Sequence, residues 1–237
     1  MDISNLQFVG GRLMGNAIEN VRNVAFVAQG GAEKAELIEA ILLKCKAIKK
    51  KGSKEALTMY TEPEEIERKM ATVAHVGHVT HNDLTINIVD SPGYFHFSEN
   101  TRAVLPGIDG AVIVFSGVDG AKPEADRLLE MLKEQNVPTI AFLNMMGDEQ
   151  ASFEKTMQSF NSSVSMPVLP VTIPIGEGDN LEGFIDLIFQ KAKVFKDGKV
   201  TEVDIPEDYK ETVENWRTQL VEKLAEADDD LIEKYLE

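Results

Sequence analysis

Apolar residues follow two alternating patterns over the first 165 residues of the chain. Apolar positions three or four residues apart predict helices over 34–49, 62–70, 123–134 and 153–160. Short apolar runs predict strands over 24–28, 73–80, 84–89, 111–115 and 139–143, the second and third of these forming a hairpin. Strands that alternate with helices are typical of a mainly parallel, doubly wound α/β sheet.

The pattern changes after Pro167. Residues 168–175 and 193–205 read as strands of a second unit, and residues 207–235 as one or two acidic helices. Eleven acidic residues oppose four basic ones between positions 206 and 237. We expect Trp216 to pack against this second unit.

Charge and composition exclude several classes of protein. The formal net charge of -16 argues against general binding to DNA or RNA. The sequence contains no apolar run of membrane-spanning length and no signal-peptide pattern at its start, so a cytoplasmic protein is expected.

The single cysteine, Cys45, is interpreted as a structural thiol. A block of six lysines between positions 44 and 54 reads as a solvated helix end, with phosphate contact as the alternative.

Three landmarks of a phosphate-binding site occur in order along the chain. A strand, a turn containing Gly30 and Gly31, and a helix that opens with Lys34 predict a phosphate cradle. Asp90 and Gly93 follow the strand 84–89, where a nucleotide switch needs a carboxylate for the metal shell and an N–H for the terminal phosphate. Asn144 ends a later strand, where guanine is read in nucleotide switches.

The order of these motifs resembles elongation factor G over nearly the whole chain. The resemblance rests on VRNV at 21–24, LTINIVDSPG at 84–93, IDGAVIVF at 108–115, VPTIAFLN at 137–144, PIG at 174–176, GFID at 183–186 and EKYL at 233–236. It implies a P-loop NTPase-like GTPase domain over 21–165, after an N-terminal extension over 1–20. Residues 166–237 then form the family's inserted α+β subdomain, called G′. The family's last GTPase-domain strand would follow Glu237, so a fragment of a longer factor is expected, with a stand-alone truncated relative as the alternative.

Five residues depart from the family pattern at positions that matter for nucleotide chemistry. They are the cradle residues on either side of the lysine, the switch I threonine, the water-positioning histidine and the guanine-reading aspartate, here Glu33, Ala35, Ala71, Tyr94 and Gly147. A carboxylate about 4 Å from a phosphate charge costs roughly 4 kcal/mol at an effective dielectric near 20. Glu33 could instead point outward, which would reduce this cost.

These departures predict a site whose charged groups pair with one another when no ligand is bound. We expect Glu33 or Glu36 to cap the first helix and Lys34 to pair with Asp90 or Glu33. No catalytic residue is expected, no metal site is expected at His75, His78 and His81, and GTP, GDP and Mg²⁺ are expected to bind weakly if at all.

The resemblance therefore implies a translation factor segment directed to the ribosome, with contact to the ribosomal stalk protein through the G′-like subdomain. No membrane or DNA partner is expected. Two alternatives stay open: a functional GTPase whose missing groups come from later domains or from the ribosome, and a non-catalytic protein-interaction module.

Overall fold

The computed structural model describes residues 18–53, 57–68, 70–92, 98–196 and 198–226. Its first unit contains five strands: β1 (Val21–Ala28), β2 (His75–His81), β3 (Leu84–Asp90), β4 (Gly110–Ser116) and β5 (Thr139–Asn144). Five helices accompany them: α1 (Lys34–Lys44), α2 (Pro63–Arg68), α3 (Ser98–Val104), α4 (Pro123–Glu134) and α5 (Phe153–Ser163).

The five strands form one sheet in the order β2-β3-β1-β4-β5. β1 runs parallel to β3 and β4, and β4 runs parallel to β5. Only β2 is antiparallel within this sheet, because it is joined to β3 by a tight hairpin at Asn82 and Asp83, both with positive φ. The predicted mainly parallel, doubly wound sheet is confirmed. Its topology places the carboxyl ends of β1, β3, β4 and β5 at one edge.

Helices cover both faces of this sheet, and β4 lies between the two cores. Ile113 and Phe115 point toward α4 and α5, where Phe115 meets Phe160 edge-on with ring centroids 4.6 Å apart. Val112 and Val114 point the other way, into the core beneath α1. Burial on both faces explains why β4 reads as a continuous apolar run rather than an alternating one.

The second unit is an antiparallel four-stranded sheet with one helix on it. Its strands are β6 (Thr172–Ile175), β7 (Gly183–Asp186), β8 (Lys191–Lys196) and β9 (Lys199–Val203), paired in sequence order. Helix α6 (Lys210–Ala225) buries Val213 and Leu220 against Ile185 and its neighbours. Trp216 packs on this core, as predicted, and also contacts Phe153 of α5 edge-on at 6.1 Å.

The structure corrects several predicted element limits. α1 ends at Lys44 instead of residue 49, because Cys45 closes the helix and Lys46 takes a positive φ of 60°. The predicted strand 193–205 is the β8–β9 hairpin, which turns at Gly198 with φ of 71°. β7 was not predicted as a strand. The domain limits at 20 and 165 stay predictions.

Some predictions lie outside the described residues. They include residues 1–17 of the N-terminal extension, the end of the acidic helix after position 226, and the EKYL motif at 233–236. No helix within the described ranges is long and apolar enough to cross a membrane.

Candidate functional site at the strand ends of the parallel sheet

The turn between β1 and α1 keeps the backbone shape of a phosphate cradle. Gly31 has φ of 87°, and Glu33 has φ of 51° and ψ of 37°. The left-handed region is open to glycine but costs other residues about 1–2 kcal/mol. The backbone therefore adopts, at Glu33, a conformation that suits the glycine found there in the resembling family.

The predicted capping role of Glu33 is wrong. Glu33 occupies the N-cap position of α1 and its side chain makes no capping hydrogen bond. Capping side chains accept from the first-turn amides when the N-cap backbone is extended, whereas Glu33 is left-handed. Its carbonyl oxygen accepts the N–H groups of Glu36 and Leu37 at 3.1 and 3.3 Å. Glu36 lies in the first turn, with Oε2 3.5 Å from Nζ of Lys51.

Lys34 and Asp90 form a buried ion pair at the centre of the site. Lys34 is 7% exposed and Asp90 is fully buried at the end of β3, in register with Phe26 of β1. The predicted pairing of Lys34 with Asp90 is confirmed. Apart from this ion pair, no described residue donates a hydrogen bond to the Asp90 carboxylate. The lysine that would reach a phosphate therefore points at a carboxylate.

A second buried carboxylate, Glu65 of α2, lies close enough to influence Lys34. Burial lowers the pKa of Lys34 to about 7, and the negative charge of Glu65 opposes that shift. Burial alone would raise the pKa of Glu65, but hydrogen bonds from Thr72, His75, Glu62 and Val73 outweigh it and lower the pKa to about 2. Glu65 is therefore ionised at neutral pH although it is fully buried.

Glu65 organises the segment that leads into β2. Its Oε1 accepts the Thr72 N–H at 2.8 Å and the Val73 N–H at 3.3 Å. Nε2 of His75 lies 2.7 Å from its Oε2. Sequence reasoning missed this cluster of hydrogen bonds. It weighed His75 only as a metal ligand, and Thr72, Val73 and His75 lie seven to ten residues from Glu65 along the chain. Among the described residues, no group of three or more His, Cys, Asp or Glu side chains could hold a metal ion.

Ala71, which the resemblance predicts to occupy the position of the family's switch I threonine, carries no side-chain oxygen. It is buried, with 7% of its surface exposed. The neighbouring Thr72 uses its hydroxyl on Glu65 at 3.4 Å and its carbonyl on the Asn100 side chain at 3.0 Å. This segment is thus fastened to α2 and α3 by its own polar groups.

The loop after β4 is held against the cradle from the other side. Buried Gln29 donates to the Gly120 carbonyl at 2.6 Å and accepts the Lys122 N–H at 2.9 Å. Lys122 Nζ lies 3.4 Å from the Gly30 carbonyl and 2.8 Å from Asp119 Oδ2. Nothing in the sequence pattern indicates this contact, because Gln29 looks like an ordinary turn residue.

Asn144 holds the cradle loop. Its side-chain N–H groups donate to the carbonyls of Ala32 at 3.0 Å and Glu33 at 3.3 Å. Gly147 is exposed, and a Cβ built on it would meet no atom within 4 Å. The structure thus brings Gly30, Gly31, Lys34, Asp90 and Asn144 to one edge of the sheet, whereas Gly93 and Tyr94 lie outside the described residues.

Known proteins are similar to this chain in sequence and in fold. Residues 19–233 match the family described as the elongation factor Tu GTP binding domain. The chain belongs to this family. Elongation factor G from Salinibacter ruber is 33% identical over 226 residues, which are 93% of this chain and 32% of that protein. A crystal structure of a protein from Thermus thermophilus matches with a TM-score of 0.82 and 27% identity, over 91% of this chain and 33% of that one.

The elongation factor G resemblance stated from the motifs is therefore confirmed. The chain spans about a third of the length of these two proteins. The edge that gathers Lys34, Asp90 and Asn144 is the one where the sequence predicts the phosphate and guanine motifs.

Proposed function

We propose that this chain is the GTPase-domain portion of an elongation factor G-like translation factor, directed to the ribosome in the cytoplasm, whose nucleotide site does not hydrolyse GTP. The proposed division is a degenerate GTPase domain over 21–165 and a G′-like subdomain over 166–237. The buried Lys34–Asp90 ion pair is the observation that carries the proposal.

This pair competes with a nucleotide for the same lysine. A phosphate would have to draw Lys34 away from Asp90, and removing one partner from a buried pair costs about 3–5 kcal/mol. A phosphate contact must first offset that cost, so the affinity for a nucleotide falls by roughly a hundredfold to a few thousandfold.

The residues around the pair do not fit a bound Mg²⁺. Ala35 and Ala71, at the positions where this family supplies hydroxyl ligands, carry no side-chain oxygen and are nearly buried. Asp90 is engaged by Lys34. No step of a hydrolysis mechanism is therefore assigned to this site, and no catalytic residue is proposed.

Two further residues act against nucleotide binding. Glu33 brings a carboxylate to the turn that would wrap the phosphates, and Gly147 offers no group to pair with a guanine edge. A site that loses a base-pairing group loses roughly 10⁴ in discrimination. The space around Gly147 is open, so the loss is one of chemistry and not of volume.

Calorimetric titration of GTP, GDP and ATP with Mg²⁺ tests the proposal directly. We expect no heat with millimolar nucleotide for the natural chain. The variant Glu33→Gly/Ala35→Thr/Gly147→Asp restores the family residue at three of the five departures and is expected to gain Mg²⁺-dependent GTP binding by at least tenfold. The matched control replaces Ala35→Thr with Ala35→Val, which has the shape of threonine without its oxygen and should show no Mg²⁺ dependence.

One observation favours the alternative of an atypical but functional GTP-binding domain. The turn keeps positive φ at Gly31 and Glu33, and Asn144 still holds it, so the cradle backbone survives. Micromolar binding to the natural chain with a preference for GTP over ATP would support this alternative and contradict the proposal.

Ribosome binding separates the proposed translation factor from a protein-interaction module outside translation. We expect the chain to sediment with bacterial ribosomes, and less so with ribosomes stripped of their stalk protein, since the G′-like subdomain is proposed to contact it. A chain that stays in the supernatant with both preparations would contradict the ribosomal role.

A further inference from the structure

A groove runs along the free edge of β2, an outer strand of the five-stranded sheet. Among the described strands β2 pairs only with β3, so its other edge has backbone N–H and C=O groups without a sheet partner. Residues 75–80 of β2 line a groove of about 490 Å³. Because neighbouring side chains of a strand point to opposite faces, a groove that touches consecutive residues of both faces lies along the strand's edge.

The groove has an apolar floor. Leu42 of α1 and Met59 lie next to Gly77, where an added Cβ would come within 3.5 and 3.3 Å of them, and both side chains are buried. Ile48, in the loop after α1, packs against the same core and lines the groove. Val76 is 69% exposed at the strand edge. A side chain that enters this groove would therefore meet apolar atoms, while the chain that carries it runs along β2.

The groove is basic although the chain as a whole has a net charge of -16. No acidic residue lines it, whereas Lys46 and His78 do. Residues 40–54 contain six lysines and no acidic residue, and residues 57–61 and 73–82 contain no acidic residue either. The surface beside β2 therefore differs in charge from the rest of the chain.

The structure leaves several of these lysines available to a ligand. Lys46, Lys49 and Lys50 follow the end of α1 and are exposed. Lys51 lies 3.5 Å from Glu36, and no described acidic residue forms an ion pair with the other three. Three positive charges near the groove are therefore not neutralised within the described part of the chain.

Two carboxylates behind the groove are fully buried and already hydrogen-bonded. Glu39 Oε1 accepts the Thr58 hydroxyl at 2.8 Å, and Glu65 Oε2 lies 2.7 Å from Nε2 of His75. Because both glutamates are inaccessible to solvent, neither can contact a ligand in the groove.

We propose that the free edge of β2 binds an acidic, extended polypeptide segment of another protein. The segment would add a strand to the sheet and place an apolar side chain over Leu42 and Met59. Its carboxylates would lie near Lys46, Lys49 and Lys50. Strand addition draws affinity from main-chain hydrogen bonds and specificity from pockets beside the edge. This proposal does not depend on the nucleotide site.

Hydrogen bonding and charge favour such a peptide over other occupants. A strand edge presents both N–H donors and C=O acceptors, and an extended peptide matches both. The phosphates of a nucleic acid accept hydrogen bonds but donate none, so they would leave the C=O groups of the edge unpaired. A second copy of this chain, joined edge to edge at β2, would bring its own lysines against these, and like charges repel.

Fluorescence anisotropy with a labelled ten-residue peptide that alternates glutamate and valine tests this edge on the full chain. We expect binding at low salt that weakens as salt is added, because the lysines are exposed. Lys46→Glu/Lys50→Glu should weaken binding by roughly tenfold, the size expected when two exposed charge contacts are lost. Lys133→Glu/Lys155→Glu is the matched control, because it makes the same change in net charge on exposed lysines of α4 and α5. This control should bind the peptide like the natural chain.

Peptide chemistry separates strand addition from charge attraction alone. An extended peptide turns alternate N–H groups toward the sheet, so N-methylation of the glutamates and N-methylation of the valines should differ strongly in their effect on binding. Hydrogen exchange of the amides of residues 75–80 should slow in the complex.

Four results would overturn the proposal: no binding at low salt, equal weakening by the two double variants, equal binding of the two N-methylated peptides, or unchanged exchange at residues 75–80. Equally tight binding of a single-stranded RNA of the same charge would also overturn it, because the edge would then select charge and not a peptide backbone.

Discussion

Lys34 and Asp90 close the cradle by neutralising each other inside the protein. Lys34→Met leaves a buried carboxylate without its partner, and Asp90→Asn leaves a buried ammonium without its partner. We expect each change to lower the free energy of unfolding by about 3–5 kcal/mol. The loss in free energy of unfolding for the double variant should be clearly smaller than the sum of the two single losses, because neither buried charge is then left without a partner. Urea unfolding of the four proteins measures this coupling, and strictly additive losses would show that the two side chains do not interact.

Glu33 is a residue under backbone strain. Glu33→Gly should raise the free energy of unfolding by about 0.5–1 kcal/mol, because the release of left-handed strain exceeds the extra entropy of glycine in the unfolded chain. Glu36→Gly, three residues later in the first turn of α1, is the control and should lower it by about 1 kcal/mol. The measurement is again urea unfolding, and a loss in both variants would argue against strain at Glu33.

The sequence predicted that Lys34 pairs with Asp90 or Glu33, because the turn between β1 and α1 and the end of β3 lie at the same edge of a parallel sheet. The sequence did not predict that Glu65 accepts hydrogen bonds from several residues around it. Glu65 sits in a six-residue helix, and nothing in its spacing shows that Thr72, Val73 and His75 fold back to donate to it. Contacts of this kind arise from the path of a loop, which periodicity does not encode.

Glu65 joins α2 to the start of β2, and this connection should depend on pH. The pKa of Glu65 falls to about 2 on folding from its ordinary value of 4.5, so its contribution is present above pH 4.5 and is lost as pH falls toward 2. The shift corresponds to about 3 kcal/mol. Glu65→Gln should be less stable than the natural chain at pH 7, and the difference should shrink between pH 4.5 and 2.

Urea unfolding of both proteins at pH 7, 5 and 3.5 measures this trend. Glu67→Gln is the control, because Glu67 lies in the same helix but is exposed. A stability difference for Glu65→Gln that does not change with pH would indicate that the lost hydrogen bonds, and not the charge, matter.

Elements with a strong periodic pattern were predicted best. α4 has the predicted limits because Pro123 starts it and its apolar face is continuous. α1 was predicted five residues too long, since the lysines after Lys44 suit a helix but the positive φ at Lys46 ends it. β7 was missed because four residues, GFID, are too few to show an alternation.

For the molecule as a whole, β5 is an open edge of the described part of the parallel sheet. β5 pairs only with β4, and on the α1 side of the sheet Ile140 is 65% and Phe142 40% exposed. An edge strand with exposed apolar side chains and unpaired backbone groups is a template for association with another chain. We therefore expect this chain to self-associate through β5 at high concentration.

Ile140→Lys should weaken this association, because it removes an apolar contact and places like charges opposite each other in a symmetric pair of edges. Loss of one buried isoleucine corresponds to about 2 kcal/mol, or roughly a thirtyfold weaker association. Val76→Lys is the matched control, since Val76 is similarly exposed on β2, the opposite edge strand, where its chain neighbours are His75 and Gly77 and its cross-strand partner Val89 is buried. Sedimentation velocity over a range of concentrations measures the effect. If Val76→Lys dissociates the protein and Ile140→Lys does not, the association runs through β2, and β5 is protected in some other way.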